Sequence, residues 1–92
     1  MRSVADVVQS VEVNVRFFAA ARAAAGTDSD RLTVRPGASV ADVVNELGSR
    51  SEELARVLQR CSFLRDGVAV RDKATELHPG QTLDVLPPFA GG

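Results

Sequence analysis

Residues 11–18, Val-Glu-Val-Asn-Val-Arg-Phe-Phe, alternate apolar and polar side chains, which places Val11, Val13, Val15 and Phe17 on one face. Only a half-buried strand has that period. The same period returns three times in the second half: Ser62-Phe63-Leu64-Arg65, Val68-Ala69-Val70-Arg71 and Thr82-Leu83-Asp84-Val85-Leu86. A shorter alternation at Arg31-Leu32-Thr33-Val34 gives a fifth strand. Helical spacing is confined to the middle of the chain. Strands at both ends of a helical segment predict an α+β domain, a mixed sheet of about five strands with helices packed on one face. The other face is left to water or to a partner.

The local signals agree with that order. Ala19 to Ala25 is an alanine-rich helix former stopped by Gly26. Asp28-Ser29-Asp30 reads as a turn before the second strand, and Pro36-Gly37 ends that strand. Ser39 is an N-cap with Asp42 three residues on, and Val40, Val43, Val44 and Leu47 follow the i, i+3, i+4, i+7 rule. Gly48 is the expected stop. Ser51-Glu52-Glu53 opens a second short helix carrying Leu54, Val57 and Leu58, with acids at its start and Arg56 and Arg60 toward its end. Asp66-Gly67 suits a two-residue hairpin turn, because both central residues then take positive φ. Pro79-Gly80 marks a further turn.

At 92 residues the chain is one domain. Residues 1–10 read as an appendage to a domain spanning 11–92. The 11 basic and 12 acidic residues give a net charge of −1, and the aromatics are four Phe. No excess charge is available for a phosphate backbone or an anionic membrane, and no stacking platform for single strands. No apolar run approaches a membrane span, and Asp6 interrupts the apolar centre that a signal peptide would need. One Cys and one His allow neither an internal disulfide nor a zinc site, which suits a reducing cytoplasm. Cys61 has no base near it in sequence, and His78 lies in a turn beside Pro79. The carboxylates do not converge, and no phosphate-cradling glycine motif is present. The chain therefore has no active site of its own, no metal and no bound cofactor.

The end of the chain is different. Pro87-Pro88 projects an extended backbone, and Phe89-Ala90-Gly91-Gly92 follows. Two terminal glycines occur by chance about once in two hundred chains. A Gly-Gly end carries no Cβ beside its carboxylate, so it can thread a channel too narrow for any side chain. Leu86-Pro87-Pro88-Phe89-Ala90-Gly91-Gly92, with Val15-Arg16-Phe17-Phe18-Ala19 and Arg22, resembles the small-subunit family of molybdopterin synthase. That family is a branch of the ubiquitin-like sulfur carriers, with the thiamin-pathway carrier as a cousin. The resemblance covers residues 11–92 and implies a ubiquitin-like β-grasp fold.

It also implies a chemistry. A ubiquitin-activating-type adenylating enzyme would use ATP to adenylate the carboxylate of Gly92, which becomes a thiocarboxylate. That sulfur would be delivered inside the large subunit of molybdopterin synthase. Phe89, Ala90 and Gly91 would occupy the partner's channel. An apolar sheet patch of Phe18, Val70 and Leu86, with Pro87 and Pro88, would dock the partners. Phe18 and Leu86 fit such a patch on alternation alone, since each points away from its buried neighbour. Two alternatives remain at this level: the same carrier chemistry with another acceptor, in a thiamin, cysteine or other sulfur-requiring pathway or in protein modification, and a plain ubiquitin-like binding module.

Overall fold

The computed structural model describes residues 10–88. The appendage at residues 1–9 and the tail residues Phe89, Ala90, Gly91 and Gly92 lie outside the described residues. Five strands and three helices follow in the order β1 (Val11–Phe17), α1 (Ala19–Ala25), β2 (Ser29–Val34), α2 (Val40–Gly48), α3 (Glu52–Leu58), β3 (Ser62–Arg65), β4 (Val68–Ala69) and β5 (Thr82–Leu86). They form one mixed sheet in the order β2-β1-β5-β3-β4. β1 and β5 run parallel at its centre, and every other pairing is antiparallel. The last strand of the chain thus lies in the middle of the sheet, paired on both edges.

Alternation sorts the side chains as the sequence requires. Val13, Val15 and Phe17 of β1, Leu32 of β2, Leu83 and Val85 of β5 and Phe63 of β3 are buried. They form a single cluster with Ala21 of α1, Val40, Val43 and Leu47 of α2, Leu54 and Leu58 of α3, and Leu77. The intervening residues of each strand face away from the helices. The sheet therefore has one covered face and one open face.

The helix starts behave as their capping residues dictate. Ser39 Oγ accepts the Asp42 N–H at 3.1 Å, and Asp42 Oδ2 accepts the Ser39 N–H at 2.9 Å, a complete capping box. Ser51 accepts the Leu54 N–H at the head of α3. Gly26 ends α1 at φ +78, donating its N–H to the Arg22 carbonyl. Asp66 and Gly67 take φ +48 and +84, the paired positive values expected of the hairpin turn.

Three boundaries differ from expectation. Ser29 and Asp30 belong to β2 rather than to a turn, because they continue the antiparallel ladder opposite Arg16 and Val15. Gly48 does not stop α2; it is helical, and a Cβ there would touch Ala55 of α3 at 3.4 Å. That glycine serves the close approach of two helices. β4 keeps only Val68 and Ala69 of the four residues the alternation suggested, with β3 as its sole neighbour. Among the described residues, no helix is long and apolar enough to cross a membrane.

Candidate functional site

The two surfaces that matter meet at the end of β5. Leu86 is its last paired residue, opposite Ser62 of β3. Pro87 and Pro88 lack a backbone N–H and cannot extend the ladder, so the chain leaves the sheet there. The exit is lined. Pro87 and Pro88 border a groove of about 330 Å³ with Ala20 of α1 and Arg56, Val57 and Arg60 of α3. Two helices and the diproline thus frame the end of β5, and Arg56 and Arg60 stand beside it.

Phe18 stands on the open face. Its backbone is extended, at φ −121 and ψ 149, and its N–H bonds to the Val85 carbonyl, so alternation carries past the end of β1. Ala19 then takes φ +50, which turns the chain sharply into α1 and leaves Phe18 behind on the sheet. Phe18 is 37% exposed. Leu86, half-buried, lies on the same face by register. Val70 does not join them. The two-residue turn pairs Leu64 with Ala69, so Ala69 takes the open face and Val70 turns inward. Its N–H bonds to the Phe63 carbonyl at 2.9 Å and its side chain packs against the core. Half-buried Leu64 stands where Val70 was expected.

The sequence reading missed the centre of this face. Arg16 and Asp84 are register partners on β1 and β5. Arg16 Nε and Nη2 donate to the two Asp84 carboxylate oxygens at 2.7 and 3.0 Å. The Asp84 side chain is only 9% exposed, whereas that of Arg16 is 57% exposed. Asp84 holds the Arg16 guanidinium pKa above its ordinary value, first by the hydrogen bond and then by charge. The guanidinium also lies 5.4 Å from the Phe18 ring centroid. The signal was present: a carboxylate at an open-face position between buried Leu83 and Val85, and a basic residue at the matching phase of β1.

Other candidates fall away on geometry. Cys61 Sγ is 3.3 Å from the Val57 carbonyl, and burial pushes its pKa up, the wrong direction for a nucleophile. His78 sits in the turn, its backbone N–H bonded to Gln81 Oε1 and its ring 3.8 Å from the exposed Glu76 carboxylate. Among the described residues, no group of three or more His, Cys, Asp or Glu could hold a metal ion.

The chain is similar in sequence and fold to known proteins. A molybdopterin synthase sulfur carrier subunit from Chlamydomonas reinhardtii is 26% identical over 83 residues, covering 89% of this chain and all of the relative. A solved Pyrococcus furiosus protein described as molybdopterin converting factor, subunit 1, is 28% identical with a TM-score of 0.77, covering 86% of this chain and 99% of its own. The small archaeal modifier protein 1 of Methanosarcina acetivorans is also 28% identical with a TM-score of 0.77, covering 90% and 98%. The sequence profile of the ThiS family matches residues 15–92, from the core of β1 to the final glycine. A five-stranded β-grasp with its last strand at the centre, matched over that span, belongs to the ThiS family of ubiquitin-like sulfur carriers.

Proposed function

We propose that this chain is the sulfur-donating small subunit in molybdopterin synthesis, with Gly92 as its reacting residue. The observation that carries this reading is the family match running through Gly92, on a fold whose central strand ends in a diproline beside an open sheet face. The relatives named for molybdopterin chemistry support the choice of pathway.

The chemistry needs no acid or base from this chain. An oxygen of the Gly92 carboxylate attacks the α-phosphorus of ATP in the active site of an adenylating enzyme, and pyrophosphate leaves. Hydrosulfide supplied by a sulfur donor then attacks the acyl carbon of the adenylate, AMP departs with that oxygen, and loss of the S–H proton leaves the thiocarboxylate. The thiocarboxylate sulfur is a strong nucleophile near neutral pH, and the large subunit of molybdopterin synthase would receive it. Gly91, Ala90 and Phe89 pass through the partner's channel, while Phe18, Leu86 and Leu64 supply apolar docking contact beside the exit. The protein acts as an arm and an address in the cytoplasm, with ATP consumed by its partner and no cofactor of its own.

The likeness to small archaeal modifier protein 1 favours a second reading, in which the same activated carboxylate is joined to an amine of another protein. One incubation separates them. With the cognate adenylating enzyme, ATP and a sulfur donor, the sulfur-carrier reading expects pyrophosphate release and a chain with sulfur in place of one oxygen. Higher-mass conjugates that survive denaturation, with no thiocarboxylate, would establish the modifier reading instead.

A further inference from the structure

We propose that the polar half of the open sheet face is a carboxylate-recognition site, in which Arg16, anchored by Asp84 and flanked by Arg31, receives an acidic side chain of the adenylating enzyme. The choice of that enzyme as occupant rests on the function proposed above; the chemistry of the site rests on geometry.

A guanidinium carries five N–H groups in one plane. Asp84 engages Nε and one N–H of Nη2. One N–H of Nη1 and the second of Nη2 then point outward side by side, an end-on edge that matches the two oxygens of a second carboxylate. Because Asp84 is the buried member and Arg16 the exposed one, the pair turns this edge toward solvent. Asp84 on one side and the Phe18 ring on the other hold the guanidinium in place, so its freedom is lost before docking rather than during it.

Register builds the rest of the recess. Arg16 faces Ser29 across the β1–β2 ladder, Asn14 faces Arg31, and Asn14 also faces Thr82 of β5. These five residues, with Val15 and Asp30, line a cavity of about 540 Å³. The charged groups here are Arg16, Arg31, Asp84, Glu12 and Asp30. Both Asp84 oxygens are taken by Arg16. Asp30 is engaged by Arg50 and by the Arg31 backbone N–H. Glu12 lies 3.9 Å from Arg31 with both side chains more than 60% exposed, a pair that solvent screens. The charged donors with capacity left are the two arginines, and they select an anion.

Two features make that anion part of a protein. Phe18, Leu86 and Leu64 continue the face as an apolar strip, so the occupant offers an acid beside an apolar group. From Thr82 to Pro88 the chain spans about 20 Å, so a protein that holds the chain beyond Pro88 has the recess within the reach of an interface of ordinary size.

The test uses the full chain and the purified cognate adenylating enzyme. Arg16→Met/Asp84→Ala removes both members of the pair, leaving no buried carboxylate without a partner. Arg31→Gln, at an exposed position, probes the same recess without touching that pair. Binding is measured by calorimetry at several NaCl concentrations, turnover by pyrophosphate release, and folding by thermal melting. The double variant is expected to raise Kd and KM by about 10- to 100-fold, to leave kcat near the wild-type value and to flatten the salt dependence. Arg31→Gln is expected to raise Kd by about three-fold. Folded variants with wild-type Kd and salt dependence would overturn the proposal. So would sedimentation showing that this face joins two copies of the chain while enzyme binding ignores Arg16. Arg16-dependent binding without pyrophosphate release would keep the site and remove the proposed function, so the two fail separately.

Discussion

Asp66 ties the β3–β4 turn to the start of β5, and a short substitution series separates its two contributions. Its backbone sits at φ +48, its N–H bonds to the Thr82 carbonyl at 2.9 Å, and its carboxylate accepts the Thr82 N–H at 2.8 Å. Asp66→Asn retains an acceptor oxygen and tolerates positive φ, so it is expected to cost less than about 0.5 kcal/mol. Asp66→Gly keeps the conformation and loses the acceptor. The bond is exposed and water can replace it, so the loss is about 0.5–1 kcal/mol. Asp66→Ala loses the acceptor and, unlike glycine, keeps a Cβ in the left-handed region without the short polar side chain that eases that conformation, which makes it about 1–2 kcal/mol worse than the glycine variant. At about 4–8 °C per kcal/mol for a domain of this size, Ala should lower Tm by roughly 10 °C, Gly by less than half of that, and Asn hardly at all. Urea unfolding with an unchanged m-value would place the effect in the native state. An Ala variant no worse than Gly would refute the conformational argument, and an Asn variant as poor as Ala would refute the acceptor argument. The turn lies at the end of β5 remote from Pro87, so each folded variant should carry sulfur normally.

Other consequences can be checked on the same protein. Cys61→Ser should fold and carry sulfur at nearly the wild-type rate, and a folded Cys61→Ser chain unable to form thiocarboxylate would remove the carboxylate mechanism. Phe18→Asp should weaken binding to the adenylating enzyme by several kcal/mol in calorimetry, because docking then buries an unpaired charge. Gly91→Val should bind that enzyme normally and release no pyrophosphate; release at the wild-type rate would rule out a narrow channel. Asp30 and Asp42 are held below the ordinary carboxylate value, chiefly by hydrogen bonds from Arg50 and from the Ser39 backbone. A depressed folded-state pKa adds stability above the unfolded value and loses it as pH falls through the folded one. Tm should therefore drop as pH is lowered from about 4, and Asp42→Asn should shallow that drop.

Much of this architecture could be read from residue order because the local signals were of a kind that tertiary packing does not overrule. The alternations at Val11–Phe17 and Thr82–Leu86, the Ser39 capping box and the Asp66-Gly67 turn each fix a conformation within a few residues. What failed depended on neighbours that sequence spacing does not name. Gly48 is a helical residue that keeps room for Ala55 rather than a stop, and Val70 faces inward because the turn sets Leu64 opposite Ala69. The Arg16–Asp84 pair joins residues 68 positions apart. It became visible only once β5 was placed beside β1, a parallel pairing that alternation alone cannot choose. Phe18 and Leu86 were legible as outward-facing, while the polar recess beside them was not.

The central claim is that Gly92 carries the sulfur, and the intact mass of the full-length chain tests it most directly. After incubation with the cognate adenylating enzyme, ATP and a sulfur donor, the whole chain should gain the mass difference between sulfur and oxygen. Fragmentation should place that gain on Gly92. A chain lacking Gly92 should fold, show the same melting curve and gain nothing. Sulfur found on Cys61, or a mass unchanged under conditions in which pyrophosphate is released, would contradict the account.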